Sequence, residues 1–245
     1  MITTELLGAS PVERIVSGPA PLRSVAVLFA RADSVYKTMP AVDVWDIERD
    51  ARKWPGGSPV VAHPPCRAWG RLAHMAKPRH DEKDLARWAV AQVRRFGGVL
   101  EHPKDSKLWS DQGLPPADTT RDEFGGWTLG ITQHWWGHRA TKATKLYIVG
   151  CSPADIPDMP ALVLGEGTHV IAQDSRRLAH GDVRKRPECT KAEREQTPPK
   201  LATWLVDLSR LVRMPANMGI DRPAAFGGSV SNDGLASTRT NAGTN

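Results

Sequence analysis

Cysteine, tyrosine and phenylalanine are scarce in this 245-residue chain, which has three, two and four of them respectively. Cys66, Cys151 and Cys189 are too few, and odd in number, for a disulfide framework, so a reducing compartment is expected. No uninterrupted apolar run approaches the ~20 residues that a membrane-crossing helix needs, and no membrane partner is expected. The stretch from Met1 to Pro21 lacks a basic start followed by an apolar core, so no secretory signal is expected. Phe29 is followed by Ala30-Arg31-Ala32-Asp33, a stretch without glycine that cannot bring backbone close to a ligand as a Gly-rich turn does.

Tryptophan is plentiful by contrast, with nine residues. Packing between helices and sheet accounts for most of them. Trp69 and the Trp135-Trp136 pair are candidates for stacking on a nucleic-acid base. Lysine and arginine exceed aspartate and glutamate by 33 to 27, a formal charge of +6 that favours a polyanionic partner. Hydrophobic residues make up 40% of the chain, enough for the core of one α/β domain.

Strands are predicted at Val25–Phe29, Val42–Asp46, Pro59–Ala62, Val99–Glu101, Trp127–Gln133 and Lys145–Gly150. Asp81 to Phe96 is the clearest helix: Leu85, Trp88, Ala89, Val93 and Phe96 keep helical spacing, with acids early and Arg94-Arg95 late. Pro198 to Val212 forms a terminal helix with proline in its first turn. Strands alternating with helices predict a largely parallel sheet covered on both faces. The organisation read from this is an N-terminal segment (1–22), a single α/β domain (23–213) and a tail (214–245). The tail is rich in Gly, Ser, Asn, Thr and Ala and is expected to be disordered.

One stretch concentrates chemistry. Val60-Val61-Ala62 reads as a buried strand that His63-Pro64-Pro65-Cys66 must end, since proline lacks the N–H a ladder needs. Cys66 is thereby presented at the carboxyl edge of a sheet, where open α/β folds bind ligands. The helix that follows leads to a second strand ending Glu101-His102-Pro103, which puts Glu101 on the same rim. Gln133-His134-Trp135-Trp136-Gly137-His138-Arg139 and Lys142-Ala143-Thr144-Lys145 then run into a further strand. A thiol, a carboxylate and a group of cations therefore converge on one edge. A reactive thiolate needs nearby positive charge, for which Arg67 and Arg139 are the candidates.

This ordered set resembles the DNA cytosine-5 methyltransferase family. The counterparts are Pro65-Cys66 for its catalytic loop, Glu101-His102-Pro103 for its Glu-Asn-Val, and Gln133 to Lys145 before Tyr147-Ile148-Val149-Gly150 for its later Gln/Arg-rich turn and strand. Gln196-Thr197-Pro198-Pro199 is similar to the segment that opens the family's last helix. The chain looks closer still to short, phage-borne proteins with the same His-Pro-Pro-Cys to Gly-His-Arg pattern. The resemblance covers residues 25–150 and 196–212. It implies a three-layer, Rossmann-like, methyltransferase-related α/β fold with a mostly parallel sheet. It also implies cytosine C5 methyl transfer through a covalent Cys adduct, with S-adenosylmethionine as cofactor, in the cytoplasm of a bacterial host cell.

Under that resemblance Cys66, Glu101 and Arg139 are the catalytic residues. Phe29, Asp46 and His63 bind the cofactor, and Arg67, Trp69, Arg71, His138, Lys142 and Lys145 contact DNA. Only sixteen residues separate Asp46 from His63, too few for another strand and helix. No obligate protein partner is evident. Two other functions stay open: a metal-dependent hydrolase or nuclease built on the central histidines, and a non-catalytic DNA-binding module. The first lacks support from spacing, because no His/Cys pair matches a zinc finger or deaminase, and no metal ligands are assigned.

Overall fold

Short valine-rich runs bounded by proline, glycine and charged residues form the strands of one six-stranded sheet. The computed structural model describes residues 21–70, 73, 74, 76–118, 120–171 and 186–213. Residues 1–20 of the expected N-terminal segment, the expected tail (214–245) and Arg71 lie outside the described residues. The strands are β1 (Val25–Leu28), β2 (Val42–Trp45), β3 (Val60–Ala62), β4 (Gly98–Pro103), β5 (Trp127–Thr132) and β6 (Ala143–Val149). The helices are α1 (Glu82–Phe96), α2 (Leu108–Asp111), α3 (Lys191–Glu195) and α4 (Pro199–Leu211).

The sheet order is β2-β1-β3-β4-β6-β5. β1 pairs in parallel with β2 and β3, and β3 pairs in parallel with β4. β6 runs antiparallel to both of its neighbours, β4 and β5. It is the one reversed strand, so its first residues share an edge with the last residues of the others. Between β2 and β3 the described chain holds only a 3-10 turn at Ala51–Lys53, and β2 is left as the sheet edge.

Alternation along the strands sorts their side chains onto two faces. Ala26, Leu28, Val60, Ala62 and Leu100 pack with Ala86, Ala89, Val90 and Val93 of α1. Val25, Val27, Val61, Val99 and Ile148 pack with Leu201, Leu205 and Leu208 of α4. Three layers result, helix on sheet on helix. Each fully buried leucine of α4 contributes about 1.5–3 kcal/mol through its removal from water. The ends of α1 follow its charges, with Glu82 and Asp84 in the first turn and Arg94 and Arg95 in the last. Gly97, at φ 72°, stops α1 with its N–H on the Val93 carbonyl, 2.9 Å away. No helix among the described residues is long and apolar enough to cross a membrane.

β3 and β4 meet most closely at Gly98. Its φ is +122°, and a Cβ there would lie 2.0 Å from the Val60 carbonyl oxygen and 2.6 Å from the Val60 nitrogen. Both obstacles are backbone, so neither can rotate away. Gly98→Ala should therefore cost about 2–4 kcal/mol and lower the thermal midpoint by several degrees, read by circular dichroism. A midpoint within about 1 °C of the parent would show that the close approach can relax.

Candidate active site

The chain leaves β1 toward β2 on one side and returns to β3 on the other, so the strand order reverses between β1 and β3. In open α/β sheets the crevice outside the carboxyl ends at such a point is where ligands bind. A cleft of about 440 Å³ opens there. Its walls come from the segment after β1, the His63–Arg67 loop after β3, Glu101 of β4, Lys142 just before β6, and residues 194–197 at the end of α3 and just after it.

Local backbone chemistry places the thiol. The His63 N–H donates to the Leu28 carbonyl at 3.0 Å, and Pro64 and Pro65 then offer no donor with which the ladder could continue. The Cys66 carbonyl accepts from the Trp69 and Gly70 N–H groups, both at 3.0 Å, and the loop turns back. Cys66 is accessible at the mouth of the cleft, although protein surrounds it on most sides. That burial, then the charge of Glu101, pushes its thiol above the ordinary value, while Lys142 works the other way. The resting group is a thiol.

Glu101 is held at both oxygens. Oε2 lies 3.0 Å from Nδ1 of His63, and Oε1 accepts from Nε2 of Gln133 at 3.1 Å. Behind His63, the Tyr36 hydroxyl lies 2.9 Å from Nε2. Behind Gln133, the amide also donates to Oγ1 of Thr144 at 3.2 Å. Burial opposes the charge on Glu101 most strongly, but the His63 hydrogen bond and then the positive charge of Lys142 prevail. They hold the carboxyl down at about 2. It is a carboxylate at neutral pH.

The cleft thus gathers Cys66, Glu101, His63, Phe29, Arg67 and Lys142 of the residues singled out in the sequence. Their surroundings differ from expectation. Arg67 does not serve the thiol; its Nε sits 2.9 and 2.8 Å from the two oxygens of Glu82, whose side chain is buried. Arg139 pairs with Glu193 of α3 and does not line the cleft. The cation that acts on Cys66 is Lys142, which makes no ion pair among the described residues. Phe29 adopts φ 62°, so a phenylalanine takes the left-handed conformation usually left to glycine.

Other expected ligands are committed elsewhere. Asp46 receives Nζ of Lys37 at 2.6 Å on one oxygen and the N–H groups of Glu48 and Arg49 on the other. It has 3% exposure and does not line the cleft. Trp69 is equally buried, with Lys83 and Arg87 over its ring, and presents no stacking face. Trp136 packs edge-on against Trp204 in the core, with Trp135 half-buried beside it. Nε2 of His138 donates to the Glu193 carbonyl at 3.1 Å and Nδ1 accepts the Ala140 N–H at 3.0 Å, so its ring braces backbone. Lys145 lies over the Trp109 ring, 5.3 Å from its centre.

Three site residues carried no signal that sequence reasoning used. Tyr36 sits in a 3-10 turn (Val35–Thr38) capped by Ser34, in a stretch with no predicted element. Gln133 and Thr144 lie within the quoted run, but the bond that braces the Gln133 amide on Thr144 depends on the reversed direction of β6. His102 is fully buried, and burial holds its ring down at about 4. The Pro65 carbonyl approaches it, yet neither ring nitrogen makes a well-formed hydrogen bond among the described residues. Nor do three His, Cys, Asp or Glu side chains converge as a metal-holding group among those residues. No protein-family model, curated protein or solved structure matches this chain.

The electrostatics make a direct prediction about Cys66. Glu101→Gln removes the negative charge that raises the thiol, so the thiolate fraction at pH 8 should rise. Alkylation by iodoacetamide should then run about 3–10-fold faster. Lys142→Met should slow it. Mass spectrometry of the Cys66 peptide gives both rates, and unchanged rates in both variants would show that neither group governs the thiol.

Proposed function

We propose that this protein modifies a pyrimidine base of DNA by covalent catalysis, with Cys66 as nucleophile and Glu101 as the group that engages the base edge. The observation that carries the reading is the pairing of an accessible thiol with a clamped carboxylate in one cleft at the switch point of the sheet. The order β2-β1-β3-β4 agrees with a Rossmann-like, doubly wound sheet lacking one edge strand, and this supports the methyltransferase-related reading of the fold.

The chemistry follows from the proton count. C5 of a pyrimidine is a poor nucleophile until something adds to C6. In the resting cleft the proton is on sulfur and the charge on Glu101. Transfer of that proton to Glu101, directly or through one water, gives a thiolate and a carboxylic acid together. The thiolate forms the S–C6 bond, the ring electrons move toward N3, and the acid O–H delivers the proton there. The other oxygen of Glu101 accepts from the exocyclic amine. C5 is then electron-rich; as it bonds to an electrophile the ring electrons leave N3, whose proton returns to Glu101, and removal of the C5 proton by water expels the thiolate, which takes back the Glu101 proton and restores the resting pair. Lys142 offsets whichever anion is present. A base inside a duplex cannot reach this cleft, so the target must be extruded or single-stranded.

Transfer of a methyl group to C5 is what the family resemblance implies. The residues present do not fit S-adenosylmethionine in the implied way, because both oxygens of Asp46 are engaged and the turn after β1 has no glycine. No step above depends on the donor. Nucleosides from DNA of cells expressing the protein, analysed by mass spectrometry, should contain a pyrimidine of altered mass that is lost in Cys66→Ser. Glu101→Gln should reduce it at least ~100-fold. An oligonucleotide with pyrimidin-2-one in place of cytosine, which accepts a thiolate without any donor, should form an adduct at Cys66. No adduct and no altered nucleoside would refute the reading.

A further inference from the structure

Tyr36 and His63 form a chain that reaches Glu101 from the side away from Gln133. We propose that they are its positioning residues: Tyr36 fixes which nitrogen of His63 carries the hydrogen, and His63 thereby fixes the orientation and proton count of Glu101. The inference rests on the reading of Glu101 as the group that engages the base.

Geometry sets the direction of each hydrogen bond. Tyr36 has 1% exposure, and His63 is the partner of its hydroxyl. Burial, then the nearby Glu101 charge, pushes the phenol well above its ordinary value, so Tyr36 keeps its proton and donates. Nε2 of a neutral His63 is then the acceptor at 2.9 Å, which leaves the ring hydrogen on Nδ1, 3.0 Å from Oε2 of Glu101. The opposite oxygen is fixed by the Gln133 amide, itself braced on Thr144. Thr144 Oγ1 in turn donates to the Lys142 carbonyl at 3.2 Å.

Glu101 therefore meets one internal donor at each oxygen and keeps its remaining lone pairs for the cleft. The titratable or charged groups around it are His63 and Cys66 after β3, His102 on β4, Lys142 before β6 and Tyr36 in the turn after β1. Of these, only His63 donates to the carboxylate. Without that donor, burial acts on Glu101 largely unopposed from this side and favours its neutral form. A Glu101 that was already protonated could not take the thiol proton.

Carbon-13 NMR of protein carrying glutamate labelled at the side-chain carboxyl tests this, with Glu101 assigned by its loss in Glu101→Gln. The parent resonance should hold the position of a carboxylate, flat with respect to protonation of Glu101 itself, between about pH 5 and pH 8. His63→Leu should bring an inflection into the range of about pH 5–7. His63→Asn, whose amide nitrogen stands near the place of Nδ1, should restore the flat response. A flat response in the Leu variant would overturn the proposal by showing that His63 only fills space, and an inflection in Asn equal to that in Leu would overturn it by showing that the lost donor is not the cause.

Tyr36→Phe differs by one oxygen atom and serves even where His63→Leu does not fold. At about pH 8.5, two units above the ordinary imidazole value, nitrogen-15 shifts of His63 should report Nδ1–H alone in the parent. Tyr36→Phe should add a substantial Nε2–H form; an unchanged tautomer would overturn the role of Tyr36. None of these readouts needs turnover, so an absence of modified nucleoside refutes the DNA reading separately from this one.

Discussion

A carboxylate in a nearly dry interior costs several kcal/mol unless donors and cations surround it, and Glu101 has only 12% of its side chain exposed. Much of the architecture follows from that requirement. Donors reach it from the loop after β3 and the turn after β5, and the Lys142 field comes from the residue before β6. The last of these sources, and the Thr144 brace behind Gln133, exist because β6 runs backwards. Thr144 pairs with Pro103 and Lys145 with His102, so the start of β6 lies beside the end of β4. A parallel β6 would carry Lys142 to the opposite edge and leave Glu101 with one side unmatched.

The cations of the cleft's surroundings are mostly engaged in ion pairs. Arg31 reaches across from the β1 loop to Glu195 at 2.7 Å, Arg67 holds Glu82 and Arg139 holds Glu193. These contacts tie the loops after β1 and β3 and the short α3 into one rim. Where they are half-exposed they contribute little energy individually. Their effect is geometric: they orient the walls of a cleft that includes one lysine without an ion pair among the described residues. The positive balance of the composition is thus a weak guide to where an anion would sit.

Elements governed by local pattern were legible in the sequence. The helical spacing from Leu85 to Phe96 and the buried run from Val60 to Ala62 appear within a residue or two of their predicted bounds. So was the shared rim of Cys66 and Glu101, because adjacent parallel strands joined by one helix admit little else. Side-chain partners were not legible. Nothing in Arg-Ala-Trp says that Arg67 will find Glu82 fifteen residues later, or that Trp69 will face inward. Tyr36 escaped for a related reason, since a 3-10 turn has no periodicity to mark it. The direction of β6 escaped because parallel and antiparallel strands share the same alternation when both faces are buried.

The cleft draws on segments from Phe29 to Thr197, and no shorter stretch contains it. Contacts over such separations must close long loops, which costs chain entropy before the contact repays it. A chain still being made would carry Cys66 and Glu101 as an ordinary cysteine and an ordinary glutamate. Their altered proton affinities arise only when β6 has closed against β4 and the segment beyond α3 has reached the rim. The same property makes the thiol a reporter of completeness: its reactivity distinguishes a finished molecule from any fragment or partly folded form.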